Sequence, residues 1–80
     1  MTNTEVVWTY EQQFDQQLHT NAQAKLAQML QEGKTNGAIS RTYLPDNTWK
    51  NIREWTNLTD AQEWIAFVQN YNPISATIVG

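Results

Sequence analysis

The stretch from Gly37 to Val79 leaves this chain few folds to choose from. It runs Gly37-Ala38-Ile39-Ser40-Arg41-Thr42-Tyr43, breaks at Leu44-Pro45-Asp46-Asn47-Thr48, and resumes as Trp49-Lys50-Asn51-Ile52-Arg53-Glu54-Trp55. Pro45 presets the φ of a type I turn, and Asn47 tolerates the left-handed position that closes such a loop. With Leu44 set against Thr48, the hairpin pairs Tyr43 with Trp49, Arg41 with Asn51 and Ile39 with Arg53. One face then carries Ile39, Arg41, Tyr43, Trp49, Asn51, Arg53 and Trp55. The other carries Ala38, Ser40, Thr42, Leu44, Lys50, Ile52 and Glu54.

An amphipathic helix follows. Thr59-Asp60-Ala61-Gln62 fits a capping box, and Ala61, Trp64, Ile65, Val68 and Tyr71 form its apolar stripe. Asn72-Pro73 stops it, because proline disfavours helical geometry in the residue before it. Ile74 to Val79 alternates as a closing strand.

The first half is less explicit. Met1 to Thr4 reads as a frayed end. From Val6 the apolar residues Val6, Trp8, Tyr10 and Phe14 share one parity, which predicts a strand from about Glu5 to Phe14. A helix through Tyr10, Phe14 and Leu18 fits the same residues nearly as well. Thr20-Asn21-Ala22-Gln23 is a second capping box, with Ala22, Leu26, Met29 and Leu30 lining the helix it opens. Gly33 supplies a left-handed C-terminal residue, and Lys34 suits the negative end of the helix dipole.

The two cap motifs echo one another, and under that offset Ile39 matches Ile78. Each half is strand, helix, strand. The sum is an α+β, ferredoxin-like βαββαβ domain over residues 1–80: a four-stranded antiparallel sheet, two helices on one face, and the first and third strands central. The order of elements, with Arg53-Glu54-Trp55 leading into a capped helix, resembles the dimeric α+β barrel proteins, which include small monooxygenases and stress-response domains. The resemblance implies a homodimer with two sheets face to face. Those enzymes commonly carry a histidine near the second helix, where this chain has Trp64 and Ile65. Ile39-Ser40-Arg41-Thr42-Tyr43 and Trp64-Ile65-Ala66-Phe67-Val68 are also similar to short uncharacterised proteins of tailed bacteriophages, which implies a phage-encoded protein in the host cytoplasm.

Composition excludes several functions. Eighty residues lie near the lower limit for a core without staples, and no cysteine is present. Four Trp, three Tyr and two Phe supply large buried areas instead. A net charge of -3 with five Lys and Arg opposes a nucleic-acid or anionic-membrane partner. No apolar run approaches the ~20 residues of a membrane helix. The N-terminal residues offer neither a basic nor an apolar leader segment, so a cytoplasmic location is expected.

Catalytic chemistry has no visible set of residues. His19 is the single histidine, without a second His or Cys to complete a transition-metal site. Glu5, Glu11 and Asp15 read as a solvated carboxylate row, so no metal and no cofactor are expected. The candidate ligand or partner surface is Arg41, Tyr43, Trp49, Arg53 and Trp55. Either these side chains pack under the helices with the arginine stems along them, or they face outward toward a ligand or a second sheet. Three functions follow: an interaction or accessory protein, homodimeric through a sheet face or edge; a small enzyme or small-molecule binder with an aromatic, arginine-lined pocket; or a single-strand nucleic-acid binder using stacked rings.

Overall fold

A computed structural model describes residues 1–80. The elements are β1 (Thr2–Trp8), a 3-10 turn (Glu11–Phe14), α1 (Gln16–Gln31), β2 (Ile39–Tyr43), β3 (Trp49–Trp55), α2 (Leu58–Gln69) and β4 (Ser75–Ile78). The sheet order is β2-β3-β1-β4, with every neighbouring pair antiparallel. This is the expected βαββαβ connectivity, with β1 and β3 central.

The hairpin forms as its residues dictate. Asn47 takes φ 66, the Leu44 N–H donates to the Thr48 carbonyl at 2.9 Å, and Tyr43, Arg41 and Ile39 lie opposite Trp49, Asn51 and Arg53. Gly33 takes φ 76. Its N–H donates to the Leu30 carbonyl at 3.1 Å, and the Lys34 N–H donates to the Met29 carbonyl at 2.9 Å, which closes α1 in a Schellman turn.

Four expectations are corrected. Met1 to Thr4 does not fray as a unit: β1 begins at Thr2, and Thr4 is 0% exposed because its hydroxyl accepts the Trp55 indole N–H at 2.8 Å. β1 also stops at Trp8 and does not reach Phe14. The Thr9 N–H donates to Gln12 Oε1 at 2.7 Å, and the Gln12 amide donates to the Tyr71 carbonyl at 2.7 Å. Side-chain bonding thus turns the chain where the ladder would have continued. α1 opens at Gln16 and not at Thr20, capped by Asp15, whose Oδ1 accepts the Leu18 N–H at 3.0 Å. That start adds Leu18 to the buried stripe and leaves Leu30 52% exposed. α2 is likewise capped by Asn57, whose Oδ1 accepts the Asp60 N–H at 3.0 Å, so Thr59 lies within the first turn.

The core lies between one sheet face and the helices. Val6 and Trp8 of β1, and Trp49 and Trp55 of β3, meet Leu18 and Met29 of α1 and Ala61, Trp64 and Val68 of α2. Trp55 stacks on Trp64 at 5.4 Å between centroids, and Trp64 stacks on Phe67 at 5.3 Å. Polar ties hold α1 to α2 and to the turn that follows it: Lys25 pairs with Glu63 at 2.9 Å, and the Asn21 amide donates to the Tyr71 hydroxyl at 2.8 Å. The opposite sheet face carries no helix.

Candidate functional site

Strand alternation puts Arg41 and Arg53 on the helix side of adjacent strands. They line a cleft of about 60 Å³ together with Trp8, Leu18, His19, Trp49 and Asn51. β2 and β3 supply the floor, and the first turn of α1 supplies one wall. The Arg41 Nε–H donates to Asn51 Oδ1 at 3.2 Å, a cross-strand bond that follows from their register. The Arg53 guanidinium lies over the Trp64 ring, 5.6 Å from its centroid. The carbonyl of Gln13 is 2.8 Å from His19 Nε2. A carbonyl only accepts, so Nε2 carries the proton of that bond.

Neither arginine has a carboxylate within ion-pair distance. The three ion pairs of the molecule use Lys25 and Lys34 with Glu32 and Glu63. Burial pushes the Arg53 pKa down to about 10, and the Arg41 charge pushes it the same way. A desolvated guanidinium beside a second one is costly, and an anion between them would remove that cost.

The five expected site residues divide. Arg41, Trp49 and Arg53 meet in the cleft. Tyr43 stands at the end of β2, 69% exposed. Trp55 is wholly buried in the ring stack and its N–H is spent on Thr4, so its role is structural. The face bearing these residues packs under the helices over β3 but is uncovered over β2, where every residue is exposed. His19, Leu18 and Trp8 were not expected in the site. His19 arrives there because α1 begins a turn earlier than its capping box suggests, and Asp15 before an apolar position was the available signal.

Glu5, Glu11 and Asp15 do not form a row: they lie in β1, in the 3-10 turn and at the cap of α1. No cluster of three His, Cys, Asp or Glu side chains is placed to hold a metal ion. No helix is long and apolar enough to cross a membrane. Comparison with family models, with curated proteins and with solved structures finds no match to this chain.

Proposed function

We propose that this chain is a small non-enzymatic interaction protein that recognises a carboxylate of its partner in the Arg41–Arg53 cleft. One observation carries the reading. A protein of net charge -3 gathers two of its five cationic side chains on one partly desolvated surface and gives them no anion of its own. Guanidinium forks match carboxylate geometry and gain strength where water is excluded. The volume suits one carboxylate group. It is far below the ~300–1,000 Å³ of pockets that enclose small-molecule ligands, which counts against an aromatic-lined enzyme pocket.

The test is a titration with N-acetylglutamate amide, followed through the Nε resonances of Arg41 and Arg53, with inorganic phosphate as the second arm. Saturable shifts of both arginines with the carboxylate, lost in Arg53→Gln, are expected. Shifts with phosphate alone would reassign the anion, and shifts with neither would end the reading.

Self-association through the helix-free face, as the dimeric α+β barrel resemblance implies, is a second reading. A hollow of about 190 Å³ on that side is lined by Asn3, Ser40, Ile52 and Glu54, and the buried Asn3 Oδ1 has no hydrogen-bond donor. A partner's donor would satisfy it. Sedimentation equilibrium from micromolar to millimolar protein decides this; a monomer throughout removes it.

A further inference from the structure

We propose that the free edge of β2 accepts an extended segment of a partner protein, and that an acidic side chain of that segment enters the cleft against Arg41 and Arg53. It rests on the carboxylate-binding reading of the cleft and adds the form of the partner.

The hairpin bond fixes which backbone groups are free. The Leu44 N–H donates to the Thr48 carbonyl, so Leu44 and Thr48 are a hydrogen-bonded pair. Antiparallel ladders alternate such pairs with non-bonded ones. Thr42 with Lys50 and Ser40 with Ile52 are therefore bonded pairs, while Ile39, Arg41 and Tyr43 turn their N–H and C=O groups away from β3. β2 is the outermost strand on that side, and all five of its residues are exposed. It has no proline, no lysine and no covering loop, the usual protections of an open edge. The other edge strand, β4, is shorter at four residues and follows Pro73.

The same alternation sets the side chains. Ile39, Arg41 and Tyr43 point to the helix side, where α1 does not reach over β2. A residue placed opposite Arg41 by strand addition puts its Cβ about 4.5–5.5 Å from that of Arg41, on the same side. An Asp or Glu there reaches the guanidinium of Arg41 and, beyond it, that of Arg53. Its neighbours two residues away meet Ile39 and Tyr43, which fits apolar side chains. The partner segment is thus apolar, any, acidic, any, apolar, with affinity from the backbone and selectivity from alternate side chains. A second copy of β2 pairing about the same centre would set Arg41 against Arg41, a like-charge pair that opposes self-assembly there.

The experiment uses the unmodified protein and the acetylated, amidated peptide Ser-Val-Thr-Glu-Thr-Val-Ser. Amide resonances of Ile39, Arg41 and Tyr43, and the Nε resonances of Arg41 and Arg53, should move together on binding. Replacing the peptide's Glu by Gln should weaken binding at least tenfold. N-methylation at the Glu nitrogen, which faces β2 in this register, should weaken it at least tenfold. N-methylation at either Thr nitrogen, which faces away, should leave it unchanged. Equal binding of all N-methylated peptides, with N-acetylglutamate amide still moving both arginines, would overturn strand addition while sparing the cleft. No difference between Glu and Gln peptides, together with inert arginines, would overturn both. A concentration-dependent dimer that protects the β2 amides and excludes the peptide would assign the edge to a second copy and also overturn the proposal.

Discussion

The Arg53 guanidinium sits 5.6 Å from the centroid of the Trp64 ring, and its charge is held there without a carboxylate. The contact places an arginine of the proposed carboxylate cleft directly on the main core ring, so under that proposal the same residue bears on stability and on binding in opposite senses.

Arg53→Met should therefore raise stability by about 1 kcal/mol at pH 7, since an apolar side chain of similar length replaces a desolvated, unpaired charge. The gain depends on pH. Burial lowers the folded-state pKa of Arg53 to about 10, below its unfolded value. Below that pH both states carry the charge and the folded state bears the whole penalty. Above it the folded state sheds the proton first, so wild-type stability recovers and the advantage of Met shrinks. Urea denaturation at pH 7, 9 and 10.5 reads this directly, and a loss of stability at pH 7 would show that the cation–π contact outweighs desolvation.

Trp64→Ala should cost about 3–5 kcal/mol, because the ring is buried between Trp55 and Phe67. In a domain of this size that is enough to leave much of the population unfolded at 25 °C. Loss of near-ultraviolet dichroism checks it.

Thr4→Val should cost about 1–3 kcal/mol although its shape is nearly conserved. The substitution leaves the wholly buried Trp55 indole N–H without its acceptor. A denaturation midpoint unchanged by Thr4→Val would mean that the N-terminal end of β1 is not part of the cooperative fold.

The caps give paired tests. Asp15→Ala and Asn57→Ala should each cost about 1 kcal/mol, since each removes the acceptor of a first-turn amide. Thr20→Ala and Thr59→Ala should stay within about 0.5 kcal/mol, since both residues lie inside helices and are exposed. The reverse ranking in urea midpoints would restore the caps expected from sequence.

Acid should loosen the tie between the helices. Hydrogen bonds from Lys25 and Lys34 hold the Glu63 carboxyl below the ordinary glutamate range. A lowered carboxylate pKa contributes stability above the unfolded value and loses it as pH falls through the folded one. Glu63→Gln should thus cost up to about 1 kcal/mol at pH 7 and almost nothing at pH 2.5, as surface pairs of this kind allow. Thermal melts at the two pH values suffice.

The hairpin was legible because its determinants are local. Pro45 and Asn47 set the turn, the turn set the register, and the register put Arg41 and Arg53 on one face before any tertiary contact was known. β1 was harder, because Thr9 and Gln12 end it through side-chain bonds that carry no periodicity. Both helix starts were misread because a second capping residue stood upstream: Asp15 competed with Thr20, and the earlier start buries Leu18, while Asn57 competed with Thr59 and adds only the exposed Leu58 and Thr59 to α2. The carboxylate-free surroundings of the two arginines depend on how α1 lies over β3, which no pattern within either segment encodes.

The strand order has a consequence for how the molecule comes apart. β1 and β2 belong to the first forty-odd residues, β3 and β4 to the remainder, and every ladder joins a strand of one group to a strand of the other. Neither portion holds a single strand pair by itself. Cleavage in the turn between β2 and β3, between Asp46 and Asn47, should give fragments that are each unstructured alone and regain the sheet only when mixed, as interlocked fingers do.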